Sequence, residues 1–209
     1  MKTIEKVDFK KTLKHLYAPK KGAFQVVEVP EMQFLMVDGQ GDPNTSDEYV
    51  EAIQALYPLA YRLKFMSKGS LGRDYVVPPL EGLWWADDLD VFASGDRDAW
   101  KWRMLVMTPD WITDEMFHQA YESVAQKDAP ASLGKVSFGR FEEGLSVQIL
   151  HFGSYADEAP TIAELHSEYL PANGLVENGH HHEIYLSDPR RTTVEKSLTN
   201  GHRFMGEPR

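Results

Sequence analysis

An internal repeat constrains this chain more than any other feature. Phe34–Pro58 and Gln148–Pro171 run through the same order of features. Each holds a hydrophobic strand, then a glycine (Gly39 or Gly153), then an acidic pair (Asp47-Glu48 or Asp157-Glu158). Each goes on into an amphipathic helix closed by Tyr57-Pro58 or by Leu170-Pro171. Glycine to proline is 58 − 39 = 19 residues in the first copy and 171 − 153 = 18 in the second. Identity between the copies is slight, so order and spacing carry the match. A strand–helix–strand–strand unit used twice explains it. One such unit leaves a sheet face uncovered. Two copies about a pseudo-two-fold axis can turn those faces toward a shared groove, and grooves between halves are where ligands bind. The expected fold class is therefore α+β, with two pseudo-symmetric repeats and antiparallel sheets around a central ligand cleft. Repeat one covers about 22–110 and repeat two about 111–200.

Local patterns fill in the repeats. Phe24–Val29 and Met32–Asp38 read as strands. Thr45 with Glu48 three residues on is a capping-box signature, so Thr45 is the expected N-cap. Tyr49, Val50, Ile53, Leu56, Tyr57, Ala60 and Tyr61 make the expected apolar stripe, and Pro58 is expected to kink or end that helix. Tyr75–Trp85 reads as a strand broken at Pro78-Pro79. In the strand Trp100–Met107, Trp100, Trp102, Met104 and Val106 point one way and Lys101, Arg103, Leu105 and Met107 the other. Thr113 caps a helix carrying Met116, Phe117, Ala120, Tyr121 and Val124. Lys135–Phe141 and Leu145–Phe152 are strands around the turn Glu142-Glu143-Gly144. A helix follows over about Pro160–Leu170, and His180–Leu186 is the last clear strand. Residues 192–209 give no signal beyond an edge strand. Residues 1–20 read as a solvated, loosely docked N-terminal arm ending at Ala18-Pro19, and 21–209 as a single domain.

Composition removes whole classes of function. Lys+Arg number 22 and Asp+Glu 32, a net charge of −10. That balance disfavours nucleic acid and anionic membranes as partners and suits cationic ligands. Cysteine is absent, which removes disulfides, thiolate catalysis and cysteine-bound metals. No apolar run approaches the ~18 residues of a membrane span. No apolar signal stretch follows the basic N-terminus, so a cytoplasmic location is expected. There is no Walker loop, no GxGxxG and no GxSxG turn.

The candidate residues are aromatic and acidic. On the last strand His181, Glu183 and Tyr185 share one face, and His182, Ile184 and Leu186 the other. Ile184 and Leu186 suit the helix-covered core, which leaves Glu183 and Tyr185 for the groove. Two readings of Glu183 stay open from the residues alone. Either it is solvated on an open sheet face, or it is a partly desolvated counter-charge and general base. Trp84 and Trp85 are adjacent on a strand, so without a bulge only one of them can line a groove: either it forms a stacking wall for a flat ligand, or one of the two is core and the other surface. Trp100 and Trp102 extend the same wall or belong to the core. Tyr155, after Gly153, and Tyr75 are phenols placed to donate to a ligand oxygen or hold a water. His180-His181-His182 does not converge on one ion, because strand residues alternate. A metal would need His181, Glu183 and a third ligand such as His151. No metal and no cofactor are expected.

The stretches Leu83-Trp84-Trp85 and His182-Glu183-Ile184-Tyr185-Leu186-Ser187-Asp188-Pro189-Arg190-Arg191 resemble the GyrI-like small-molecule-binding family over most of residues 22–191. The resemblance is to its stand-alone subgroup, related to effector-binding domains of MerR-type multidrug regulators. It implies two ββαββ-like repeats around a cleft for flat, apolar, often cationic molecules, with a buried glutamate as counter-charge. It also implies kinship with hydrolases that open cyclopropanoid genotoxins. In that version Glu183 activates water and Tyr155 orients water or substrate. The competing reading is a protein-binding module, as in gyrase-inhibiting relatives. The expected partner is a small aromatic or cationic ligand, and the expected state a monomer or homodimer.

Overall fold

The computed structural model describes residues 5–87, 96–151 and 158–186, and the backbone of 201–208. In chain order the elements are β1 (Lys6–Val7), α1 (Phe9–Thr12), α2 (Lys14–Tyr17), β2 (Gln25–Val29) and β3 (Met32–Gln40). Next come α3 (Asp47–Met66), β4 (Asp74–Tyr75), β5 (Leu80–Trp85), β6 (Lys101–Thr108), α4 (Asp114–Asp128) and β7 (Ser137–Phe141). The last are β8 (Gly144–Leu150), α5 (Ala159–Glu164), α6 (Leu170–Ala172), β9 (Leu175–Ile184) and β10 (Gly201–Pro208). The architecture is α+β with antiparallel sheets. Contacts divide the chain into unit one (Met1–Thr12 and Met32–Phe141) and unit two (Leu13–Glu31 and Glu142–Arg209).

Unit one orders its sheet β5-β6-β3-β7. Unit two orders its sheet β9-β10-β8-β2, so β5, β6 and β3 of one correspond to β9, β10 and β8 of the other. The strand–helix–strand–strand repeat is thus present twice. Each helical run also includes a wide π-type turn, Ser67–Leu71 after α3 and Leu165–Tyr169 between α5 and α6. The C-terminal segment departs from expectation. β10 is an interior strand, paired antiparallel with both β8 and β9. Its sequence, Gly201-His202-Arg203-Phe204-Met205-Gly206-Glu207-Pro208, lacks the alternation that marks a half-buried strand.

In unit one, α3 starts one residue later than the capping box suggests. Ser46 is the N-cap, its Oγ accepting from the Tyr49 N–H at 3.3 Å. The helix also runs straight through Pro58 to Met66. An interior proline costs about 3 kcal/mol. Burial of Ala52, Ala55, Leu56, Leu59, Ala60 and Leu63 outweighs that cost. The buried stripe is rotated from the expected one, leaving Val50 and Tyr61 exposed. This core stripe joins Leu35, Val37, Met104 and Val106 from the sheet, and α4, capped as expected by Thr113, packs alongside. Gly39 lets the ring of Trp102 lie over β3. A Cβ there would sit 2.2 Å from the ring.

The N-terminal arm is more firmly held than a loose leader. β1 pairs in parallel with β4, Phe9 packs on the core of unit one, and Leu16 and Tyr17 are buried. Its lysines from Lys6 to Lys20 stay outside while Val7, Phe9, Leu13, Leu16 and Tyr17 between them are withdrawn from water. No helix among the described residues is long and apolar enough to cross a membrane.

Candidate functional site

The aromatic layer of unit one arises from register. Trp84 on β5 lies directly opposite Trp102 on β6, and Trp100 precedes it by one alternation step. Directly opposed residues share a sheet face. That face carries Leu35, Val37 and Gly39 and packs on α3. Tyr49 of α3 meets both indoles, its ring centroid 6.1 Å from Trp84 and 5.5 Å from Trp102. Trp84 and Trp100 meet edge to face at 6.0 Å. Trp102 is fully buried and Trp84 nearly so, while Trp85 stands half-buried on the opposite face. The buried indole N–H groups of Trp84 and Trp102 find no acceptor among the described residues. An unmet buried donor costs about 1–3 kcal/mol, so packing holds this layer together.

Tyr75 belongs to a different corner of unit one. Its ring packs on Phe9 at 6.5 Å and on Trp111 at 6.1 Å, and burial pushes its phenol pKa far up. Beside it, Lys64 at 2.5 Å and Lys68 at 3.1 Å hold Asp74. Hydrogen bonding from Lys64 leads in drawing that carboxyl down to about 2.

Unit two gathers the titratable residues. Glu183 pairs in register with His202, which pairs with Ile149; His181 pairs with Phe204, which pairs with Val147. Val147 packs against Leu165, Leu170 and Leu175. Glu183 and His181 therefore share the helix-covered face, the reverse of the expected sidedness. Alternation defines two faces but not which one a helix covers. The other face is covered as well. Gln148 donates to the His15 carbonyl at 2.7 Å, and Ile184 is fully buried. Glu183 is only 8% exposed, with its Oε1 3.9 Å from His181 Nε2. Tyr185 is half-buried just past β9, and Tyr155 lies outside the described residues.

Two further pairs escaped the sequence reading. His182 Nδ1 lies 2.9 Å from Glu143 Oε2 in full burial, and Ser146 Oγ donates to Glu143 Oε1 at 3.4 Å. Glu143 occupies the turn before Gly144, whose φ of 71° makes that turn sharp. The second pair is His151 with Glu158, Nε2 to Oε1 3.9 Å, both buried. Desolvation pushes the Glu158 carboxyl up to about 7, against the opposing pull of His151. Pairing residues this distant needs the fold. The only sequence hint was the place of Glu158 in the repeated acidic pair. Among the described residues no three potential ligands gather as a metal site.

The sequence profile of the GyrI-like small molecule binding domain matches residues 23–200. The chain belongs to the GyrI-like family. Among solved structures it is similar to an uncharacterized conserved protein from Listeria innocua, at 42% identity and a TM-score of 0.87, covering 97% of this chain and 100% of that one. It is similar to a protein from the same organism described as a hydrolase, at 40% identity and a TM-score of 0.85, with the same coverage. The EcmrR C-terminal domain shares the fold at 11% identity and a TM-score of 0.55, covering 90% of this chain and 98% of that domain. No curated protein matches the chain.

Proposed function

We propose that this GyrI-like protein takes up apolar, planar, often cationic small molecules in the cytoplasm, with the carboxylate of Glu183 as counter-charge. The observation that carries the reading is the withdrawal of Glu183 from water on the helix-covered face of its sheet. A carboxylate so placed pulls harder on a cation than one in bulk solvent. Of the four tryptophans Trp84 and Trp102 belong to the core of unit one, so the proposed stacking surfaces for a planar cation are the half-buried indoles of Trp85 and Trp100. His181 and Tyr185 are the remaining proposed ligand contacts, while Tyr75 is packed away on Phe9 and Trp111. Turnover is a second reading, favoured by the hydrolase description of a relative 40% identical over nearly the whole chain. In it Glu183 takes a proton from water, the water oxygen bonds to a strained cyclopropane carbon as one ring C–C bond breaks, and the electron pair of that bond takes up the proton from Glu183. Tyr155 orients the water or the substrate.

The test is titration of tryptophan emission with a fluorescent planar cation. Glu183→Gln should weaken binding by at least about tenfold, the order expected when a desolvated charge loses its partner. Unchanged affinity in this variant overturns the counter-charge. Single-turnover consumption of a cyclopropane-containing alkylator, abolished by the same substitution, separates hydrolysis from binding. A stable complex with a protein partner, with no small aromatic ligand bound, would favour an interaction module instead.

A further inference from the structure

Five large apolar side chains are exposed among the described residues, and four of them follow one line on unit one. Val50, Tyr61 and Phe65 stand on α3, and Leu71 on the π turn that continues it. Val50, Gln54, Tyr57, Tyr61 and Phe65 recur at three- and four-residue steps, so they form one stripe along the helix. That stripe lies opposite the buried one of Ala52, Ala55, Leu56, Leu59 and Leu63. Phe65 is 59% exposed, and the Tyr57 and Tyr61 rings lie 6.4 Å apart. Single exposed apolar residues are ordinary; a continuous line of them marks an interaction surface. Charge is ordered along the same helix. Exposed Asp47 stands in its first turn, and half-exposed Lys68 in the π turn past its last.

That order selects the occupant. A second α3 laid antiparallel, with a two-fold axis through the Tyr57–Pro58 bond, brings Asp47 level with Lys68 and Val50 level with Phe65. It also brings Gln54 level with Tyr61, and Tyr57 level with Pro58. Acid then meets base and ring meets apolar side chain, and the two-fold axis makes each contact twice. Parallel packing would instead set Asp47 on Asp47 and Lys68 on Lys68. We propose that α3 packs antiparallel on α3 of a second molecule of this chain, forming a symmetric dimer along the line from Val50 to Phe65. With 20 residues, α3 is about 30 Å long. One helix face is a small interface, so the dimer is weak and forms with rising concentration. Lys68 keeps its 3.1 Å contact with Asp74 and has further ammonium protons for Asp47 of the partner molecule. The stripe lies away from the core side of α3, where Tyr49 meets the indoles, so the dimer does not depend on the small-molecule reading.

Sedimentation velocity from about 1 to about 500 μM should show reversible exchange between monomer and dimer. Phe65→Asp should weaken the dimer at least about hundredfold, because symmetry counts each loss twice. Tyr61→Asp, at another exposed position, gives the same test should Phe65→Asp not fold. Asp47→Lys and Lys68→Glu should each weaken it roughly tenfold, and their equimolar mixture should regain wild-type affinity as a heterodimer, since both contacts then pair opposite charges. The chain has no cysteine, so Pro58→Cys places one thiol beside its symmetry mate. Mild oxidation should link that variant and leave Gln119→Cys, on the exposed side of α4, unlinked. A wild-type protein that is monomeric throughout overturns the proposal, whatever other partner covers the stripe. A dimer as tight in both aspartate variants as in the wild type overturns it too, and so does a charge mixture no tighter than its two parts. Thermal unfolding of each variant reports whether it is folded.

Discussion

Units one and two share one plan and fill it with opposite chemistry. The helix-facing layer of unit one is aromatic: Trp84, Trp100, Trp102 and Tyr49 over an α3 of 20 residues. The same layer of unit two carries Glu183, His181, His151 and Glu158, and its helical run breaks into α5, a π turn and α6. Even their buried acids are treated differently. In unit one two lysines surround Asp74 and draw it down, whereas in unit two desolvation drives Glu158 up. A strand–helix–strand–strand scaffold constrains where side chains stand, and leaves open whether they pack or titrate. In the first copy apolar and aromatic packing fills the helix-facing layer. In the second copy ionisable groups occupy that helix-facing layer.

The sharpest way to break this contrast is to remove one member of a buried hydrogen-bonded pair in unit two. Glu143→Ala removes the carboxylate 2.9 Å from His182 Nδ1 in full burial and should cost roughly 2–3 kcal/mol in denaturant unfolding. A cost under about 1 kcal/mol would mean that the pair is not buried as described. In unit one the matching stress is steric. Gly39→Ala drives a methyl group into the Trp102 ring and should cost about 1–3 kcal/mol, with a changed near-ultraviolet tryptophan signal.

The pH dependence of stability should separate the two acids by sign. Glu158 has a raised folded pKa, so it lowers stability as pH rises from about 4.5 to about 7. Glu158→Gln should then stabilise the protein by about 1–3 kcal/mol at pH ~8 and hardly at all at pH ~4. Asp74 has a depressed folded pKa. Its contribution is present above about 3.8 and fades as pH falls toward about 2, so Asp74→Asn should flatten only the acid limb. Profiles of equal slope in both variants would erase the distinction. The smallest effect is expected for Asp38→Ala. It removes the half-exposed pair with Arg103 and should cost about 0–1 kcal/mol.

Much of the scaffold was legible in the residue order. Spacing revealed the repeat, the turn at Gly144, the Thr113 cap and the alternation of β6, because each depends on neighbours a few residues apart. The family resemblance rested on similarly local motifs, Leu83-Trp84-Trp85 and the stretch from His182. Ser46 in place of Thr45, and a helix that ignores Pro58, show local propensity yielding to packing. Which face of β9 meets the helix, the interior place of β10, and the meetings of Glu143 with His182 and of Glu158 with His151 were left to the tertiary structure. Those outcomes join residues separated by up to tens of positions. Their energies come from desolvation and cross-strand register, which no stretch of sequence contains by itself.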